Sequence, residues 1–448
     1  MNKISLNVFF KTILLCLTIN FFLTAQVTSS VKIEKIYPFV VDSIKITGLK
    51  ITEEFIVYRE LTFSLGDTLD AEKTDFNRER IYSLGIFNHV FLIPTRVDNK
   101  NILNIEIEES WYIYPIPFIE LKGDRNDQLT VGMRLRLRNF RGRNETLNAT
   151  MAFGYDPTFI FSYSNPNIIG RENIFVGARF GFSNITNKSL TAESIHGGQF
   201  SQKFITINFV IGKRFGLYQR LSLNTGYSYI KTPFFEEGIN ASDNRIDHLV
   251  DVGLNYEYDT RDLAQFPRSG IFATVNYSFK GLGIDGINYR VAKLDFKDYR
   301  AVFDKLITKW RIATRLTYGN VVPFYDKSIL GLDDRIRGHG YEKTEGNYYY
   351  LLSLEFYYPI IEELNIKLNF IPFLPEELLS YRFGIYAQLF GDTGAAQLKH
   401  QKIGLSDFDS GYGVGLTFLF LPYNILRVEF ALDEFGNTNW IVDLGISF

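Results

Sequence analysis

Cysteine is all but missing from this chain of 448 residues, and the single copy, Cys16, lies in its first apolar stretch. If that stretch is removed on export, the remainder has no disulfide, no thiol nucleophile and no Cys-ligated metal. Histidine is scarce too. The five copies, His89, His196, His248, His339 and His400, are scattered without metal-ligand spacing, and no Gly-x-Ser-x-Gly run occurs. A hydrolase is therefore a poor reading, and the expectation is a protein that is not an enzyme and takes no cofactor. Formal net charge is -2, without the basic excess that phosphate-backbone binding needs, so no nucleic-acid partner is expected. Past residue 26 no run of about 18 apolar residues occurs, which excludes a membrane-spanning helix there.

What is present begins with an export signal. Lys3 and Lys11 supply positive charge, and the apolar run Ile13 to Leu23 ends at Thr24-Ala25-Gln26. Residues 1–25 read as a signal peptide; a retained anchor is the alternative, but no stop-transfer flank follows. Lipidation at Cys16 is rejected because the apolar run continues through Phe21 and Phe22. Aromatics make up 16% of the chain, with 41 Phe and 27 Tyr against 3 Trp, which suits a surface with wide apolar and interfacial zones.

After a linker, 26–41, residues 42–110 read as a small βααββ domain. Asp42 to Gly48 alternates apolar and polar and closes on a glycine, as a strand does. Thr52-Glu53-Glu54 opens a helix with a capping hydroxyl and early acids, burying Phe55, Ile56 and Leu61. Gly66 to Asp70 is a turn plus a second cap. The next helix carries Phe76, Ile81, Tyr82 and Leu84 and stops at Gly85. Strands His89 to Val97 and Ile102 to Glu108 follow, joined by the turn Asp98-Asn99-Lys100-Asn101.

From Trp111 to the end, segments of about ten residues alternate apolar and polar between Gly/Asn/Asp turns, the signature of a transmembrane β-barrel. Val131, Met133, Leu135 and Leu137 alternate with Arg134, Arg136 and Arg138. Leu426, Val428, Phe430 and Leu432 alternate with Arg427, Glu429 and Asp433. In the last strand Trp440, Val442, Leu444, Ile446 and Phe448 share a face. Both faces make sense if lipid lies outside and a wet lumen inside, and in lipid the sheet must close. About sixteen strands are expected, about eleven before a long loop at Asn320 to Asn347 and about five after it. Asn184 to Gln202 is left open as one long loop or as strand ends.

The βααββ order, the Gly66-Asp67 turn and the run Ile81 to Val90 resemble the POTRA domain, the polypeptide-transport module that precedes outer-membrane barrels. In the barrel, Arg335-Ile336-Arg337-Gly338-His339-Gly340-Tyr341 resembles the Val-Arg-Gly-Phe loop motif of the POTRA-plus-barrel superfamily, which includes BamA-like insertases, TamA-like assembly factors and two-partner secretion transporters. The segments Ser353 to Pro359 and Phe390 to Gly394 resemble the family's matching strands. Two further likenesses are the turn Asp259-Thr260-Arg261-Asp262 through Gly270, and the late strand Gly411 to Leu416. The resemblance implies a loop folded into the barrel and locked there through Arg337, Gly338 and Tyr341, with Arg337 meeting Glu355 and Asp392. Parity is an independent check. With Leu352, Leu354 and Phe356 toward lipid, Glu355 points inward; with Phe383, Ile385 and Leu389 outward, Asp392 is lumenal if its strand runs that far. His339 stands where the family has an aromatic, and Tyr341 is expected to take that aromatic's place.

The resemblance also implies that an extended client segment adds to an open POTRA sheet edge, here the strand containing Val90 and Leu92. A plain spacer is the alternative. Pro115 and Pro117, two apart in the first barrel strand, remove donors from one strand edge, which suits a seam against the last strand at Trp440 and Phe448. Both prolines could instead precede the barrel wall. The leading expectation is an outer-membrane assembly, insertion or polypeptide-translocation factor, its N-terminal domain in the periplasm. Its partners would be the bilayer, unfolded outer-membrane or secreted polypeptides, and possible accessory periplasmic proteins or lipoproteins. A passive outer-membrane pore is the alternative.

Overall fold

The structure is a computed structural model that describes residues 37–121, 129–303, 305–332, 334–340, 342–368 and 374–446. The export signal, most of the linker, Tyr341 and Phe448 lie outside the described residues.

The small domain starts earlier than the alternation at Asp42 suggests. A strand β1 (Phe39–Val40) pairs with β3 (Thr68–Leu69), and Phe39 and Val41 are buried in the domain core. Its main sheet has β5 (Lys100–Glu109) in the centre, with β2 (Ser43–Thr47) parallel on one side and β4 (Phe87–Val97) antiparallel on the other. Helix α1 is one turn, Phe55–Tyr58, and has no side-chain cap. The expected capping hydroxyl of Thr52 instead accepts from Asn139, near the end of a barrel strand, and the Thr52 amide donates to Glu109. Helix α2 (Ala71–Tyr82) is capped as its sequence predicts, with Asp70 accepting from the Lys73 amide.

Sixteen antiparallel strands form the second sheet. Eleven precede the long loop: β6 (Ile113–Leu121), β7 (Leu129–Phe140), β8 (Glu145–Gly154), β9 (Thr158–Ile169), β10 (Ile174–Thr186), β11 (Ser201–Phe215), β12 (Gln219–Lys231), β13 (Ile246–Asp259), β14 (Gly270–Lys280), β15 (Tyr289–Val302) and β16 (Leu306–Gly319). The loop carries a short hairpin, β17 (Ser328–Leu330) with β18 (Thr344–Gly346). Five strands follow it: β19 (Tyr348–Lys367), β20 (Ser380–Gln397), β21 (Asp409–Leu421), β22 (Asn424–Asp433) and β23 (Thr438–Ile446). Between β10 and β11 the chain makes a helix, α3 (Leu190–His196), capped by Ser189. That local signal resolves the stretch left open in the sequence.

The period-2 pattern sorts the two faces. Phe153, Phe161, Phe180, Phe209, Ile211, Leu254, Trp310, Leu352, Leu389, Val414, Trp440 and Val442 are exposed on the outer face, as a lipid-facing belt requires. The inner face is less wet than alternation alone suggests. Leu330 and Ile336 of the loop pack on Ala313, Tyr349 and Leu351 of β16 and β19 inside the lumen.

Hydrogen bonding on β6 settles the orientation of the two prolines. The ladder with β7 runs from Ile113 to Leu121, and the Arg138 amide donates to the Tyr112 carbonyl at 2.8 Å. Even-numbered residues therefore bond toward β7, so Pro115 and Pro117 lack donors on the opposite edge. On that side the sheet order ends. Among the described residues no strand pairing joins β6 to β23.

Candidate functional site

Two charged assemblies occupy the barrel interior and the mouth beside the small domain. The first holds the loop. Arg337 leaves the loop with its Nε 2.6 Å and Nη2 2.7 Å from the two oxygens of Asp392 on β20, a fork on a carboxylate. Its Nη2 also reaches Glu355 on β19 at 3.2 Å, and Nη1 reaches Glu429 on β22 at 3.1 Å. The guanidinium lies 3.8 Å over the Phe390 ring. Asp392, Glu355 and Glu429 are all buried. Lys309 on β16 donates to Glu355 at 2.9 Å, and Gln388 bridges Glu355 and Glu429 at 3.1 Å each. Arginine suits the position because its planar fork stays charged and can address several carboxylates at once.

Close backbone approach makes the contact possible. A Cβ on Gly411 would lie 1.6 Å from the Arg337 carbonyl oxygen. Gly338 has φ +108°, and a Cβ there would meet the Leu432 carbonyl oxygen at 2.5 Å. A second set of bonds holds the other flank of the loop: Arg311 donates to Asp334 at 2.6 Å, Tyr349 donates to Asp334 at 2.5 Å, and Arg315 pairs with Asp326. Ser189, the N-cap of α3, donates to Glu345 of β18 at 2.8 Å. His339 does not act as an aromatic plug here; its ring bonds Glu342, Glu434 and the Ser410 carbonyl.

Glu429 is the member that sequence reasoning missed. Its parity on β22 marks it as lumenal, but no motif singles it out. Lys309 and Gln388 were likewise not singled out, because they lie on β16 and β20 and acquire meaning only when the barrel brings those strands to Glu355 and Glu429.

The second assembly docks the small domain against the barrel mouth, and barrel arginines do most of it. Arg382 at the start of β20 grips Glu79 of α2 with both Nη atoms, at 2.5 and 2.7 Å. Arg268, in the turn after β13, reaches Asp75 at 2.9 Å. Arg214 at the end of β11 holds Glu60 at 2.6 and 2.8 Å. Arg138 on β7 donates to the Leu84 and Gly85 carbonyls just past α2, the negative end of the helix. Burial alone would raise the Glu79 carboxyl, but Arg382 and Arg78 outweigh it and hold it at about 2. In the same turn Phe266 packs on Tyr357 and Tyr386, and the Ala264 amide donates to Ser83. The Asp259 to Gly270 segment is thus a docking platform as well as a turn.

The strand β4 lies at the sheet edge, but its side chains are committed. Val90 and Leu92 are buried in the domain core. At its start, Asn88 donates to the Glu377 carbonyl at 2.6 Å and His89 meets Ser380 at 2.8 Å, so the barrel turn covers that end. Phe91 and Val97, farther along, are exposed.

With this geometry in view, the comparisons with known proteins agree. The Omp85 superfamily domain model matches residues 139–448. The chain belongs to the Omp85 superfamily. The POTRA model described as a surface antigen variable number repeat matches residues 39–110, the span that includes β1. BamA from Haemophilus ducreyi lacking POTRA domains 1-3 is similar in fold, with TM-score 0.53 and 15% identity over 91% of this chain and 85% of that one. CdiB from Escherichia coli gives TM-score 0.48 and 12% identity over 94% and 93% of the two chains. CdiB from Acinetobacter baumannii gives 0.47 and 12% over 91% and 73%. No curated protein sequence matches. This Omp85 chain therefore consists of a POTRA domain followed by a sixteen-stranded barrel.

Proposed function

We propose that this protein is a non-enzymatic factor of the outer membrane that helps other polypeptides into or across the bilayer, working through the β6/β23 seam. The observation that carries the reading is the end of the sheet order at β6, where Pro115 and Pro117 lack donors on the side facing β23. A closed barrel has no edge; here a client strand has a donor-poor, sideways exit into lipid. The loop held by Arg337 supports the same reading, because it occupies the lumen that a passive pore would leave open. The POTRA domain faces the periplasm and offers the exposed part of the β4 edge, beyond Asn88 and His89, to an extended client. Work would come from client folding, with no nucleotide consumed.

Reconstitution tests this. Liposomes holding the full chain are expected to speed the folding of an unfolded barrel client, and to show no steady single-channel conductance. Steady conductance that survives every loop substitution, with no gain in client folding, would put the pore reading in its place.

A further inference from the structure

Where the POTRA domain meets the barrel mouth, a cavity of about 400 Å³ opens between the end of α1, the face of α2 and the periplasmic ends of β8 to β13. One buried carboxylate, Glu60, sits at its wall and faces three guanidiniums: Arg214 at 2.6 Å, Arg80 at 2.9 Å and Arg59 at 3.3 Å. Arg214 and Arg80 spend their donors on Glu60 and on carbonyls. Arg59 has the ion pair alone: its Nε, the atom 3.3 Å from Glu60, is buried and makes no hydrogen bond among the described residues. The other charges on the wall cancel pairwise, Arg220 with Glu257 at 3.2 Å and Arg261 with Asp259 at 2.7 Å.

The cavity therefore has a positive surplus that no side chain around it neutralises. An arginine cannot relieve this by losing its proton at physiological pH. Burial pushes the Arg59 guanidinium below its usual range, and the contribution of Glu60 is not enough to restore it. A buried cation short of acceptors is costly unless an anion or water supplies them.

We propose that this cavity is an anion site that takes a phosphoryl group, with Arg59 as its principal donor. The guanidinium fork matches a tetrahedral oxyanion, and Asn144 lines the same space as a neutral donor. The volume far exceeds that of a bare phosphate and falls in the range of small-molecule sites, so the group would be carried on a larger hydrophilic body. A lipid headgroup and a free phosphate share this chemistry. Occupancy would tie α1 and α2 more firmly to the barrel mouth, next to the Glu60–Arg214 contact.

The test uses the full chain in detergent micelles. Thermal unfolding and titration calorimetry are run with sodium phosphate, sodium acetate and sodium chloride at matched ionic strength. Phosphate is expected to bind and to raise the midpoint above the other two salts, and Arg59→Gln is expected to weaken binding by about tenfold or more. Arg300→Gln, an exposed arginine paired with Asp298 and outside the cavity lining, is expected to leave phosphate binding unchanged. Native mass spectrometry of the extracted protein separates the sources. A phospholipid retained by the wild type and lost in Arg59→Gln identifies a headgroup; phosphate binding without retained lipid identifies the free ion. Equal behaviour in phosphate, acetate and chloride would overturn the proposal, as would an Arg59→Gln response identical to wild type. If Arg59→Gln does not fold, the wild-type salt comparison alone decides.

Discussion

The lumenal lock and the POTRA junction use the same bond type with opposite polarity. In the lock one arginine, Arg337, sits among three carboxylates. At the junction one carboxylate, Glu60, sits among three arginines, and a second, Glu79, takes Arg382, Arg78 and Arg268. The surroundings differ as well. Within the barrel Lys309 adds a second cation on Glu355 and the neutral Gln388 amide donates to Glu355 and Glu429, beside an apolar shoulder of Ile336, Leu330 and Leu351. The Glu60 cluster borders a cavity and keeps its surplus. The lock is thus complete in itself, whereas the junction joins two domains through contacts that a change of charge can adjust.

If that contrast is right, the lock should be the more brittle of the two. Arg337→Ala leaves three buried carboxylates short of their cation, a loss of about 3–5 kcal/mol by analogy with other broken buried pairs. Thermal unfolding should fall accordingly, and the loop should become accessible to protease. Gly411→Val attacks the same contact without touching a charge, since its side chain would collide with the Arg337 carbonyl. It should reproduce the loop exposure of Arg337→Ala; a normal, protected loop in that variant would mean the loop does not lie against β21.

At the junction the expected effects are smaller and depend on pH. The Glu79 carboxyl is held at about 2, below its ordinary 4.5, so its contribution to docking is complete above about 4.5 and fades as pH falls toward 2. Amide exchange of α2 in the wild type should therefore quicken across that window. Glu79→Gln should show fast exchange already at neutral pH and little further change on acidification. At the seam, changing Pro115 and Pro117 together to Val restores two backbone donors and should slow client folding several-fold with little effect on stability; unchanged activity would remove the donor-deficit argument. The smallest effect is at His339. Burial would lower its imidazole, but hydrogen bonds to Glu342 and Glu434 raise it. That contact should hold below the ordinary imidazole range and be lost as pH rises through the raised value, visible as local exchange at Ser410 rather than as unfolding.

What the sequence made legible follows from what is periodic or local. Alternation along each segment separated eleven strands from five, and placed Glu355, Asp392 and Glu429 on the inner face. Asp70 and Gly85 marked both ends of α2. Contacts set by the closure of the whole sheet left no such trace. Glu79 and Arg382 are 303 residues apart, and Glu60 and Arg214 are 154 apart, so no local pattern pairs them. Thr52 shows the same limit from the other side. Its sequence context is that of a helix cap, yet the hydroxyl bonds Asn139 near the end of β7, and α1 is one turn.

The most direct test of the central claim is in-cell photo-crosslinking from Ile116, between the two prolines on β6, with products identified by mass spectrometry. Adducts to other outer-membrane or secreted polypeptides during active export would place clients at the seam, as the account predicts. Capture of β23 of the same chain alone, under the same conditions, would mean that the seam stays shut and would contradict it.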